Sequence, residues 1–242
     1  MSKKEKIFHL IDKKDYILYL YELIIRIEGQ KDPMKSTLKE LECFINKNKK
    51  EGIPDKDIKV SYREYERYSR MLEGSESYLF NLFGDHQASS MSYKKFRDII
   101  KKKKDKNSLE FEIRDIDEEI DKSLKKLNKL RNWVNHVPES LLVADIKLIE
   151  EDNAMNRVIF NPIQVHRYLY CSLDYMKNLY DEAYHNYTLF NKVYKSLKLD
   201  YQELLGVPIF LDKSYTQEVV QVGNNNMRVA ELSGKIQELD KE

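Results

Sequence analysis

From Ile113 to Val134 an apolar residue recurs every three or four positions: Ile113, Ile116, Ile120, Leu124, Leu127, Leu130 and Val134. That spacing draws one stripe along an α-helix and cannot be laid on one face of a strand, whose side chains alternate. Asn107 and Ser108 are good capping residues, and Glu110 and Glu112 suit the positive end of a helix. Pro138 stops the pattern, because the residue before a proline is pushed off helical angles. The spacing therefore predicts a helix of about seven turns over 108–136.

Its last turns carry the sharpest chemistry in the chain. The stretch reads LNKLRNWVNHVP, with Arg131, Asn132 and His136 close to the stop. Lys125, Lys129, Asn132 and His136 are three or four apart and share a polar stripe. Arg131 is four on from Leu127 and borders the apolar seam. Five residues at about 100° each put Arg131 and His136 some 140° apart on one helix. A single intact helix cannot aim both at one atom, so either the helix breaks between them or two chains combine their motifs.

RNWVNH is Arg-Asn-x-x-x-His and resembles the Arg-x4–6-His signature of HEPN-superfamily ribonucleases. The resemblance covers roughly residues 108–140, in a helical context from about 60 to 195. It implies an all-α, HEPN-like helical bundle in which two protomers build a composite site. It also implies a metal-independent endoribonuclease, a toxin or phage-defence effector. In such a site the ribose 2′-OH attacks the adjacent phosphate and leaves 2′,3′-cyclic phosphate and 5′-OH ends. Arg131, Asn132 and His136 would be its catalytic residues. His136 suits proton transfer near neutral pH. Arg131 matches phosphate oxygens, and Asn132 orients. Pro138 stands where HEPN toxins silenced by nucleotidyltransferases carry a tyrosine, so that mode of silencing is not expected. The competing class is a non-catalytic helical adaptor or regulator, in which Arg131 would salt-bridge an acid near Glu139 or Glu150.

The rest of the chain fits long helices: 242 residues hold only seven Gly and five Pro. Residues 15–28 read as one helix ending at Gly29, and Asp32-Pro33 as the start of another. Ser61 with Glu64 looks like a capping box. It opens a helix with Tyr62, Tyr65, Tyr68, Met71 and Leu72 at packing intervals. His86 falls in a loop and reads as a surface histidine. Ser92 opens a basic helix in which Lys101, Lys102, Lys103 and Lys104 form the strongest positive patch. With Lys125 and Lys129 they are the candidate RNA-binding residues, because phosphate contacts need lysine or arginine more than sequence. Asn161-Pro162 predicts a long helix to about Leu197, with Val165, Leu169, Ser172, Leu173, Met176, Leu179, Tyr180 and Ala183 facing inward. The helices at 108–136 and 162–195 are expected to be the longest two and to pack on each other. Residues 207–222 lean extended, and 227–239 form a weak tail helix.

The expected organisation is an N-terminal helical extension at 1–60, a bundle at 61–200, and an extended segment with tail helix at 201–242. Net charge is +1, so any nucleic-acid contact must come from local patches. Cys43 and Cys171 suggest neither disulfide nor zinc. No metal ligand set and no cofactor motif is present, and no stretch is long and apolar enough to span a bilayer. The expected setting is cytoplasmic. The expected partners are RNA, a second copy of the chain, and an antitoxin or defence-system protein, with no membrane.

Overall fold

The computed structural model describes residues 8–87, 89–135 and 168–211. Among them the protein is all-α apart from one short two-stranded ribbon. The elements are α1 (Lys13–Asn48), a single 3-10 turn (Asp55–Asp57), β1 (Lys59–Ser61), α2 (Tyr62–Gly84), α3 (Tyr93–Asp105), α4 (Glu118–Asn135), β2 (Tyr170–Ser172) and α5 (Leu173–Leu205). One compact unit extends as far as Pro208.

The ribbon sets the frame. β1 and β2 are antiparallel, with Val60 opposite Cys171 and Ser61 opposite Tyr170. Each strand leads into a helix, and α2 and α5 run in the same direction, with Tyr65 against Tyr175 at 5.3 Å near their starts. Phe80 and Phe83 on α2 meet the Phe190 ring on α5 at 5.0 and 5.6 Å between centroids. α1 runs the opposite way, with Phe44 near its end against Tyr68 near the start of α2. α4 is likewise reversed, since Asn128 near its end reaches Gly84 at the end of α2. α3 lies across α1 and α5, where Tyr93, Phe96, Tyr16 and Tyr19 are buried together.

Several expectations are corrected by tertiary contacts. α1 is one helix of 36 residues that passes through Pro33, not two helices divided near Gly29. Proline in a helix removes one N–H bond and crowds the carbonyl four residues back. Here that residue is Gly29, which has open space where a Cβ would stand. Ile24, Ile27, Met34, Leu38 and Leu41 are buried along both sides of the proline. Burying five such side chains is worth on the order of 10 kcal/mol, which outweighs the roughly 3 kcal/mol penalty of one internal proline.

The helix expected over 108–136 starts only at Glu118. Asn107 takes a left-handed φ of 50° after α3, and the chain then runs without helix, bending at 110–111, as far as Glu118. Ile113 is buried there, and Phe111 meets the Tyr16 ring edge-on at 4.9 Å. The Ile113–Ile116–Ile120 spacing therefore mimicked a helix that tertiary contacts forbid. The two longest described helices are α1 and α5, not the 108–136 helix, and α4 packs along α2 as well as α5.

Ser61 caps α2 without a side-chain hydrogen bond. The Tyr62 N–H bonds the Leu169 carbonyl instead, and Glu64 pairs with Arg67. Leu169 is 77 % exposed, against the expectation that it faces inward. α5 is capped at its start by Ser172, whose hydroxyl accepts from the Tyr175 N–H, and at its end by left-handed Gly206. Val165, Asn161-Pro162, Pro138 and the segments at 212–222 and 227–239 lie outside the described residues. Cys43 and Cys171 are free thiols.

Between α2 and α5, the Asn186 amide donates to Glu76 at 3.1 Å. Burial pushes the Glu76 carboxyl up to about 7; Asn186 opposes the rise, and Glu182 and Glu73 add to it. The folded state thus holds this proton more tightly than the unfolded chain, whose ordinary value is 4.5. Stability linked to Glu76 is full below pH 4.5 and is lost as pH rises to about 7. The size is on the order of 3 kcal/mol, from 1.36 kcal/mol per unit. Urea unfolding at several pH values should show the difference between wild type and Glu76→Gln growing across that window. Parallel curves would mean Glu76 titrates normally.

Candidate functional site

The end of α4 clamps the end of α2. Arg131 and Asn132 follow Asn128 on α4 by three and four positions, so both neighbour it on the helix surface. Gly84, the last residue of α2, lets the two backbones touch: a Cβ there would sit 2.8 Å from the Asn128 nitrogen and 2.9 Å from the Leu127 carbonyl oxygen. The Asn128 Nδ2 donates to the Gly84 carbonyl at 2.6 Å, satisfying one of the orphan acceptors at a helix C-terminus. The same nitrogen lies 2.9 Å from His86 Nδ1.

Arg131 is buried, at 8 % exposure, and its guanidinium is engaged on three sides. Nη2 pairs with Asp85 Oδ2 at 3.0 Å, Nε donates to Asn81 Oδ1 at 3.1 Å, and Nη1 donates to Asn132 Oδ1 at 3.1 Å. Asp85 caps α2 at its negative end, where a carboxylate is disfavoured unless a cation answers it. Arg131 supplies that cation. Lys95 feels the same carboxylate: burial lowers its pKa and Asp85 offsets part of the fall. On the far side of Asp85, the Ser92 hydroxyl donates to the Asp85 carbonyl, and the Ser92 N–H donates to the Tyr19 hydroxyl at 2.9 Å. Burial pushes that tyrosine up to about 12, so it stays protonated.

Of the catalytic candidates, Arg131 and Asn132 meet in one hydrogen bond, and Asn132 and Trp133 are exposed beside it. His136 lies outside the described residues, as do Glu139 and Glu150. The acid that holds Arg131 is Asp85.

The lysine candidates divide. Lys103 donates to the Leu10 carbonyl at 2.8 Å and sits over the Tyr16 ring. Lys104 binds the Ile113 carbonyl and Asp115, both at 2.6 Å. Lys125 pairs with Asp121 at 2.5 Å. Lys101, Lys102 and Lys129 are exposed. Lys101 lines a cleft with Glu118 and Asp121, at the beginning of α4. Thirteen residues of helix separate Glu118 from Arg131, about 20 Å. The basic patch thus stands at the opposite end of α4 from the Arg131 cluster.

Sequence reasoning missed Asp85, His86, Asn81 and Asn128. Asn128 had a readable signal, since it falls one turn before Arg131 and Asn132. Asp85 and His86 directly follow a glycine that ends a helix, but their meeting with α4 is a matter of tertiary packing. Among the described residues no group of three or more His, Cys, Asp or Glu is arranged to hold a metal ion, and no helix is long and apolar enough to cross a membrane. No known family profile matches this chain, and neither a curated protein nor a solved structure matches it.

Proposed function

We propose that this protein is a metal-independent endoribonuclease of HEPN type, acting in the cytoplasm as a homodimeric toxin or phage-defence effector. The observation that carries the reading is local. α4 remains helical to Asn135, so Arg131 and Asn132 stand in its last turns, bonded to each other, with His136 next along the chain. His136 moves the proton: it takes the 2′-OH proton as the oxygen attacks phosphorus, or returns one to the departing 5′-oxygen. A second protomer brings the His136 that one helix cannot aim at its own Arg131.

A second reading has one specific observation in its favour. Arg131 is buried and neutralised by Asp85, as a structural arginine in a non-catalytic adaptor would be.

The test is cleavage of single-stranded RNA in EDTA, with end-group analysis for 2′,3′-cyclic phosphate. His136→Ala should slow cutting by roughly 10²–10⁴-fold. Lys101→Ala with Lys102→Ala should lower the salt sensitivity of RNA binding and leave the cleavage rate at saturation unchanged. Lys103 is unsuited to that role because its ammonium secures the Leu10 carbonyl. In a bacterial host, toxicity that survives His136→Ala would sink the ribonuclease reading.

A further inference from the structure

The Asn128 amide selects the tautomer of a histidine that the motif does not include. Its Nδ2 faces the Gly84 carbonyl at 2.6 Å and His86 Nδ1 at 2.9 Å. An amide nitrogen carries two protons and accepts none. Gly84 offers only a carbonyl oxygen, so one proton goes there and the other goes to His86. His86 Nδ1 must therefore accept, and the ring proton of the neutral imidazole sits on Nε2. His86 is exposed, with Nε2 on the opposite side of the ring from Asn128.

Asn132 is treated in a related way. Its Oδ1 is taken by Arg131 Nη1, which turns the amide so that its N–H groups are the donors left for a ligand. Asn132 is exposed and one turn on from Asn128 on the same face. Two neutral donors, His86 Nε2–H and Asn132 Nδ2–H, are thus each oriented from behind by a buried or half-buried partner. The charge behind them is balanced, Arg131 against Asp85.

We infer that His86 and Asn132 form an oxyanion-binding pair at the end of α4, taking the non-bridging oxygens of an RNA phosphodiester. Arg131 acts in this site as a positioning residue that orients Asn132 and does not touch the phosphate. His86 acts as a fixed hydrogen-bond donor and transfers no proton. Neutral donors held in place suit a phosphate whose charge grows during attack, because they need no reorganisation as the oxygens become more negative. The inference rests on the RNA-directed reading of this end of α4, and it differs from that reading in what it demands of His86 and of Arg131, which here orients Asn132 in place of holding the phosphate.

The experiment uses the full chain and a non-cleavable 2′-O-methyl oligoribonucleotide, so that binding is read apart from cutting. Nitrogen-15 NMR of the His86 ring should show Nδ1 unprotonated and Nε2 protonated near neutral pH, with the Nε2–H signal moving as oligonucleotide is added. His86→Ala, at an exposed position, should weaken binding about ten-fold, the loss of one hydrogen bond to a charged group. His86→Gln, which keeps a side-chain N–H, should recover part of it. A ring protonated on Nδ1, or wild-type binding by His86→Ala, would overturn the inference. If wild type cuts RNA while His86→Ala binds and cuts equally well, the pair is wrong and the ribonuclease reading stands. If the tautomer and the binding loss appear but no RNA is ever cut, the oxyanion site stands and the ribonuclease reading falls.

Discussion

Asp200→Ala is expected to be among the most damaging single substitutions in the protein, costing about 3–5 kcal/mol, as loss of one partner of a buried ion pair does. Asp200 is fully buried near the end of α5. Its carboxylate takes the Arg97 guanidinium from α3, the Arg114 Nε at 2.7 Å from the non-helical segment before α4, and the Tyr93 hydroxyl at 2.7 Å. Arg114 also donates to the Ser196 carbonyl at 2.9 Å, and Arg97 to the Arg114 carbonyl at 3.0 Å. Burial raises the pKa of the Asp200 carboxyl, and Arg97, the Tyr93 hydroxyl and Arg114 offset part of that rise. Remove the carboxylate and two guanidiniums face each other with no counter-charge, one of them 6 % exposed. Asp200→Asn should be milder, because the amide oxygen still accepts one of these bonds. The check is urea unfolding followed by circular dichroism. A loss below about 1 kcal/mol for Asp200→Ala, the size of one ordinary net hydrogen bond, would mean that water or rearrangement satisfies the arginines.

The second large effect concerns Arg131, where stability and chemistry are entangled. Arg131→Ala leaves Asp85 nearly buried at the unfavourable end of α2 and should cost about 3 kcal/mol or more. Asp85→Ala should cost a similar amount by orphaning the guanidinium. Replacing both together, Arg131→Met with Asp85→Leu, should restore most of the stability, because matched apolar pairs replace buried ion pairs at little cost. Against the single variants Arg131→Met and Asp85→Leu, whose losses sum to about 6 kcal/mol, the double variant should lose only about 1–2 kcal/mol, a coupling of about 4–5 kcal/mol. The folded double variant separates the two functional readings. In a ribonuclease it is stable and inactive, since Asn132 loses the guanidinium that orients it. In an adaptor it is stable and still binds its partner. Loss of stability undiminished in the double variant would show that Arg131 and Asp85 act independently.

How far the sequence reaches can be judged at particular residues. The polar stripe Lys125–Lys129–Asn132 is exposed, and Leu124 and Leu127 are buried, as their spacing requires. Ser92 caps the basic helix through its hydroxyl, accepting from the Lys95 N–H at 3.1 Å. These are local matters, settled within one or two helical turns. The same local rules misplaced the start of α4 by ten residues, because apolar spacing does not record where each side chain must go. Arg114 has to reach Asp200, 86 positions later in the chain, and a helix over 108–117 would carry it elsewhere. They also divided α1 at Gly29 and Pro33, where burial on both sides of the proline outweighs its local cost.

For the candidate site the division is sharper. Sequence by itself determined an all-α chain and placed Arg131 and Asn132 in the last turns of an amphipathic helix, since periodicity and hydropathy are written in neighbouring residues. Only the tertiary structure decided what Arg131 touches and which histidine stands within a hydrogen bond of Asn128. Asp85 and His86 lie more than 40 positions earlier and meet α4 because Gly84, lacking a side chain, lets two helices come into backbone contact.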